Sequence, residues 1–496
     1  MRIYTSAIIF LLLLYISACS KLVTIPEPSS SITISEVFSS DATATSAIAG
    51  IYTQLINGTY GVNNSNYATN VFSNGLATIL AGLSSDELQS TTANNGLYQI
   101  AANNLTAIFA DQSYIPTLWT SAYEIGIYGA NAVLEGIDAS KSPNLSDSTR
   151  KQLTGEAKFI RAFCHFYLTN FYGDVPLVLT TDFNKTATLG RARQADVYAQ
   201  IILDLKDAQT ALPDNYISTG SQRIRPNKWA ATALLASAYL YAGDNTNAAI
   251  QASSVIDHAA LYHLEPSLND VFLTTSNEAI WQLQQNTSIP NLGNATPEGE
   301  LWLPNPLHTG QPSIISLTSQ LVNTFEPGDK RRMNWIDSTN YTPAPGTPAS
   351  TYYFPYKYKT GSYNHTLGGT ASEYYTVLRL AEQYLIRAEA EANGASGGAA
   401  AAITDVNAIR NRAGLGNLPA TLQGDDLKAA IAKEWQTEFF CEWGHRWFNL
   451  KRTGQAHNVL SSIPAKMPWK GDYQLLYPIP TPEIVIDHSL SQNPGY

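Results

Sequence analysis

The sequence predicts a mainly α protein, a scaffold of tetratricopeptide-like helical hairpins carrying long irregular loop regions and a few short strands. Three observations predict it. Two segments, 226–257 and 380–409, repeat one layout of apolar helix, glycine turn and second apolar helix, the mark of hairpins that cannot bury their faces alone and must stack. A third segment, from Leu153, carries an apolar stripe at three- and four-residue spacing. Between Leu264 and Tyr375 that period disappears, and Pro, Gly, Asn and aromatic residues take over.

Composition narrows the function before any motif is considered. The 496 residues hold 30 Lys+Arg against 40 Asp+Glu, a net charge of −10, and charged residues are only 14% of the chain, against about 25% in an average soluble domain. That balance argues against nucleic acid as a partner. A hydrophobic share of 44% allows a sizeable core, and the length admits up to three domains as a soft prior. The 28 Tyr and 9 Trp among many uncharged polar residues suit recognition of neutral polar molecules.

In chain order, residues 1–18 read as a secretory signal. Arg2 precedes the apolar run Ile8–Leu14, and small residues Ser17 and Ala18 precede Cys19. The run is shorter than the 20 or so residues a bilayer span requires. Ile16-Ser17-Ala18-Cys19 has the form of a bacterial lipobox, in which the Cys19 thiol receives lipid and becomes the mature amino terminus. Residues 19–35 are Ser- and Pro-rich without helical period and read as a lipid-anchored tether. The folded part is expected from Glu36, as an N-terminal region 36–263 with an irregular loop at 57–112. A C-terminal region 264–496 follows, with a loop-rich insertion at 264–375 and closing helices at 376–455.

Within these regions Ala157, Ile160, Phe163, Tyr167 and Phe171 form one buried stripe, ended by Gly173 and Pro176. In the clearest hairpin, Pro226 opens a helix through Trp229, Ala233, Ala236 and Leu240; Gly243 stops it, and Ala248, Ala252 and Val255 begin the next. Leu380 to Ala388 and Ala399 to Ile409 repeat the pattern around Gly394–Gly398, and a weaker copy starts at Ala122. Glu278–Leu283 reads as a strand with Trp281 in the core. Cys164 and Cys441 both fall in helical patterns among apolar neighbours, where a cysteine is a small buried hydrophobe more often than half of a disulfide.

Four stretches then carry a family resemblance: GEAKFIRAFCHFYLTNFYGDVPLVL at 155–179, RIRPNKWAATALLASAYLYAG at 223–243, LRLAEQYLIRAEAEA at 378–392, and EFFCEWGHRWFNLKR with the terminal YPIPTPEI and QNPGY. In order and spacing the chain resembles the SusD/RagB group, lipid-anchored nutrient-binding proteins of Bacteroidetes outer membranes. The resemblance implies a surface-exposed outer-membrane protein that captures glycans and passes them to a SusC-like TonB-dependent transporter. One departure stands at Glu434-Trp435, where the family often has arginine after the glutamate; it is expected to change local packing only.

If the ligand is a neutral glycan, flat aromatic faces and amide or carboxylate groups must hold it. The candidates are Tyr67 and Tyr98 from the first loop region and Trp302 from the second, with Asn63 and Asp86 as hydrogen-bonding partners and Trp335 in second rank. Two other readings stay open: a scaffold that binds protein or peptide, and an exported glycoside hydrolase. For the latter, Glu434, Glu438 and Glu442 share one helix face, although Arg446, Lys451 and Arg452 follow and suggest an ion-paired network. Gly394-Ala395-Ser396-Gly397-Gly398 fits the letters of a nucleophile elbow but joins two helices, where the elbow needs a strand before it. His165 and His445 are isolated on helical stretches, and no zinc spacing, phosphate loop or dinucleotide fingerprint is present. No enzyme activity, cofactor or metal is implied.

Overall fold

The computed structural model describes residues 33–58, 70–92, 96–344 and 346–496. Its principal helices are α1 (Asp41–Asn57), α2 (Ala77–Ser84), α3 (Tyr128–Ala139), α4 (Asp147–Tyr172), α5 (Gln194–Ala211), α6 (Lys228–Tyr241), α7 (Asn245–Ile256), α8 (Leu380–Ala392), α9 (Gly398–Arg412), α10 (Gly424–Phe439) and α11 (His445–Arg452). Side chains of Ser40, Ser146, Asn227 and Asp244 accept backbone N–H bonds at the starts of α1, α4, α6 and α7, satisfying donors that a helix leaves open. Helices α3 to α9 pack consecutively, each on the next, which is the stacking the hairpin pattern predicts.

The stripe of α4 holds the centre. Ala157, Ile160, Phe163 and Phe171 are fully buried, and Phe159 and Phe163 meet Trp281 edge to face at 4.9 and 5.2 Å between ring centroids, a preferred aromatic geometry. Gly173, at φ +76°, stops the helix in a backbone conformation that favours glycine. Gly394, Gly397 and Gly398 all have positive φ in the α8–α9 turn, so this stretch is a turn between helices.

Among the described residues, eight short strands form four antiparallel pairs: β1 (Leu88–Ser90) with β5 (Ile315–Leu317), β2 (Val175–Pro176) with β3 (Arg191–Ala192), β4 (Ala279–Leu283) with β8 (Tyr375–Arg379), and β6 (Ile336–Tyr341) with β7 (Ser350–Pro355). The β4–β8 pair stands at the neck of the excursion between α7 and α8, two helices that nevertheless touch.

Several expectations change. The segment 57–112 is not a loop throughout, for α2 lies within it and every residue of α2 is buried. The insertion contains the β6–β7 hairpin, paired from Ile336 opposite Pro355 to Tyr341 opposite Ser350. Cys441 lies beyond the end of α10 with φ +48°, and Cys164 and Cys441 are both free and buried.

Candidate functional site

The carboxylates that could suggest hydrolysis are locked into a buried ion network. Arg331, fully buried, donates to Asp329 (2.8 Å), Glu434 (2.6 Å) and Glu438 (3.0 Å). Arg379 donates to Glu278 (2.9 Å), Glu438 (2.6 Å) and Glu442 (2.8 Å), while Arg412 pairs with Glu278 and Glu438 and Lys357 with Glu442. Burial raises the Glu438 carboxyl, but Arg412, Arg379 and Arg331 outweigh it and hold the group well below the usual range. A carboxylate held so acidic by three guanidiniums is a poor acid or base at neutral pH. The partners differ from those the sequence suggests: Arg446 turns to Asp86, Arg452 to Glu389 and Lys451 to a backbone carbonyl, and Glu442 lies past the helix end. His165 and His445 are pushed down to about 3 by burial, as core groups.

Three candidate ligand residues belong to the interior. Trp302, 2% exposed, ends a single helical turn (Pro297–Trp302) capped by the Thr296 hydroxyl, which accepts from Gly299 N at 3.1 Å. The proline that suggests an exposed loop is the first residue of that turn. Trp335 is fully buried; its indole N–H donates to the Leu268 carbonyl at 2.9 Å, and the Lys357 ammonium lies 4.9 Å from its ring centre. Asp86, 3% exposed, accepts from Arg446 at 2.8 and 2.7 Å. Rings without accessible faces cannot stack on sugar, and Asp86 is already bound, so these three serve the interior and not a ligand face. Tyr98 is exposed, on the short helix Gly96–Ala101 whose Leu97 and Ile100 are buried. Asn63 and Tyr67 lie outside the described residues. On either side of them, Gly58 lies against the Asn70 side chain, and Asn57 Oδ1 accepts from Asn286 N at 3.0 Å, so the flank before them meets the insertion.

The insertion itself is braced by its amides. Asn294 accepts from Thr366 N (2.7 Å) and donates to the Thr370 carbonyl (3.0 Å), and Gln285 donates to the Glu373 carbonyl (2.9 Å). Glu373 accepts from Lys359 N (2.7 Å) and Thr360 N (3.0 Å). On this rigid base stand three half-buried tyrosines, Tyr353, Tyr356 and Tyr363. The Tyr356 and Tyr363 hydroxyls are 3.4 Å apart, and Tyr363 donates to the Lys359 carbonyl at 3.0 Å. Lys359, drawn down to about 8 by burial, lies 3.6 Å from the Tyr356 ring centre, and Arg332 lies 5.2 Å from that of Tyr353. Nearby, Glu300 and His365 are 2.7 Å apart, with burial raising Glu300 to about 7 against the pull of His365. Sequence reasoning passes over these tyrosines. For Tyr353 and Tyr356 the signal is the run Tyr352-Tyr353-Phe354-Pro355-Tyr356-Lys357-Tyr358-Lys359, aromatic-rich and strand-like, inside a region that otherwise reads as loop; Tyr363 has none. Partly exposed rings edged by hydroxyls, amides and a cation can pack on C–H faces and satisfy hydroxyls together.

Two family models match this chain. One, described as starch-binding and associating with the outer membrane, covers residues 35–240; the other, the SusD family, covers 328–496. The chain belongs to the SusD/RagB family. A SusD-like protein P2 of Formosa agariphila is 27% identical over 442 residues, 79% of this chain and 83% of its own length. Among solved structures, a SusD-like carbohydrate-binding protein from Bacteroides fragilis matches with a TM-score of 0.77 at 21% identity, over 92% of this chain and 99% of that one. A laminarin-binding SusD-like protein matches at 0.71 and 23%, over 92% and 100%. These likenesses bear out the helical SusD fold. Among the described residues no helix is long and apolar enough to cross a membrane, and no group of three metal-ligating side chains occurs.

Proposed function

We propose that this SusD-like chain is a cell-surface lipoprotein, held in the outer membrane through Cys19, that captures a neutral oligosaccharide or polysaccharide without cleaving it and delivers it to a SusC-like TonB-dependent transporter. The observation that carries the reading is the match of the starch-binding, outer-membrane family model to a chain headed by Ile16-Ser17-Ala18-Cys19. Relatives of the same fold named as carbohydrate-binding and laminarin-binding support it. The ligand face we assign to the insertion, with Tyr353, Tyr356 and Tyr363 as stacking groups, and to Tyr98, Asn63 and Tyr67 of the first loop region. The buried ion network favours binding over hydrolysis, because its carboxylates are occupied by arginines.

Affinity electrophoresis of the soluble chain from Ser20 onward in gels containing laminarin, starch or other neutral polysaccharides tests this. Retarded migration in at least one gel, with no rise in reducing ends on prolonged incubation, is the expected result. Unretarded migration in all of them would overturn the glycan reading, and released sugar would favour the hydrolase.

A further inference from the structure

The chain enters the described residues at a fixed corner. Thr33 opens a one-turn helix, Ile34–Val37, in which the Thr33 hydroxyl accepts from Glu36 N and the Glu36 carboxylate accepts from Thr33 N at 2.8 Å. Phe38 follows. Its buried ring lies directly against Gly136 of α3, and Ser140, just past the end of that helix, donates to the Phe38 carbonyl at 2.6 Å. A second segment runs beside the same half of α3. Asn131 donates to the Val178 carbonyl at 3.2 Å, and Glu135, one turn further on, accepts from the Thr180 hydroxyl at 2.6 Å and from Thr181 N at 2.9 Å. Residues four apart share a helix face, so 34–38 and 178–181 lie along adjoining faces of one helix end.

Both segments hold large apolar side chains out into solvent. Ile34 is 68% exposed, Leu179 40%, and Phe183, on the single turn Phe183–Thr186, 76%. Scattered singly, such residues need no explanation; grouped on two strips beside one helix end, they leave apolar surface whose burial is favourable. The carboxylates next to them are occupied: Glu36 and Glu135 accept as above, and Asp182 accepts from Asn184 N at 3.1 Å and pairs with Lys185 at 3.4 Å. What covers this corner follows from where the chain comes from. Residues 19–32 join Cys19 to Thr33, and a chain of that length spans at most about 50 Å. With lipid on Cys19 the corner is held close to a bilayer. Tethering makes contact with that bilayer intramolecular, so a patch too weak to hold a free protein is enough, and apolar side chains presented there settle into the boundary between headgroups and acyl chains.

We propose that Ile34, Leu179 and Phe183 form a membrane-seating face that enters the lipid surface, so that the helical stack stands on its α3 end. The proposal rests on the reading that Cys19 carries the anchor.

The test uses the chain from Cys19 onward, with the Cys19 thiol coupled to a maleimide-bearing lipid in phosphatidylcholine vesicles; Cys164 and Cys441 are buried and stay uncoupled. The link is made chemically, so failure of this face is distinct from failure of lipidation, which the absence of palmitate from the cellular protein would show. Tryptophan emission is compared in ordinary and dibrominated lipid, which quenches rings that enter the bilayer. The emission added by Phe183→Trp should fall at least twofold in dibrominated lipid. The emission added by Ile250→Trp, at a 53% exposed position on α7, well along the stack from α3, should not change. Ile34→Ser together with Leu179→Ser, both at exposed positions, should at least halve the quenching at position 183. A vesicle-coupled chain whose Phe183→Trp emission is unquenched, quenching equal at 183 and 250, or quenching undiminished by the two serines would overturn the proposal.

Discussion

Replacing Glu438 by glutamine should be among the most damaging conservative changes in this protein. The carboxylate is wholly buried and meets three guanidiniums, Arg379 at 2.6 Å, Arg331 at 3.0 Å and Arg412. An amide of the same shape keeps one acceptor oxygen, but it removes the negative charge and turns an N–H₂ group toward cations. Breaking one buried ion pair by removing a partner typically loses about 3–5 kcal/mol, since the remaining charge is left uncompensated. With three cations sharing this anion, the upper part of that range is expected, a large fraction of the 5–15 kcal/mol that holds a typical domain together. The assay is urea unfolding followed by tryptophan fluorescence, with Asp207→Asn as the control. Asp207 also pairs with a lysine, Lys158 at 2.5 Å, but its side chain is 45% exposed, and such pairs contribute about 1 kcal/mol or less. If Glu438→Gln shifts the unfolding free energy no more than Asp207→Asn does, the reasoning that this network depends on charge compensation is wrong.

Glu87 should behave in the opposite sense. Burial, reinforced by neighbouring Asp86, raises its carboxyl from 4.5 to about 8, so between those values the folded chain keeps a proton that the unfolded chain has lost. The stability it contributes is full below about pH 4.5 and declines by about 1.4 kcal/mol per unit as pH rises toward 8. Glu87→Gln should match the parent near pH 4.5 and exceed it at pH 8; equal stabilities at pH 8 would refute the assignment. Trp302→Ala should lose about 3–5 kcal/mol in thermal or urea unfolding, as buried tryptophans do, while the folded fraction keeps its glycan affinity. A selective loss of affinity would return Trp302 to the ligand face. Tyr363→Ala should weaken polysaccharide binding by about 1–3 kcal/mol if its ring is a stacking anchor, read as restored mobility in the affinity gel, and an unchanged mobility would remove it from the site. Radiolabelled palmitate should enter the full-length chain in a suitable host and be absent from Cys19→Ala; label retained in the variant would refute lipidation there.

The helical frame was legible because its signals are local. The α6–α7 and α8–α9 hairpins fall within a few residues of the positions that apolar spacing and Gly243 or Gly394–Gly398 indicate. Helix α2 was not legible, since burial on every side leaves no polar face and therefore no period. The β6–β7 hairpin escaped because its connection is long and lacks a two-residue turn signature. Trp302 and Trp335 escape the sequence for one reason: residues in irregular segments reveal composition but not which way a ring turns, and here long-range packing decides it, of Trp335 against 268–272 and of Gly299 and Leu303 beside Trp302 against 360–361. The partners of Glu434 and Glu438 come from Arg331, Arg379, Arg410 and Arg412, up to 107 positions away in the chain, beyond what sequence proximity can suggest.

The pairing of β4 with β8 at the neck of the excursion between α7 and α8 has an evolutionary consequence. A polypeptide that departs and returns through one doorway can have its contents lengthened or rewritten while the door frame stays in place. Doubling the length of a flexible connection adds only about 0.6 kcal/mol of closure entropy. A lineage built on this architecture can therefore rewrite the cassette behind the doorway and leave the stacked helices alone.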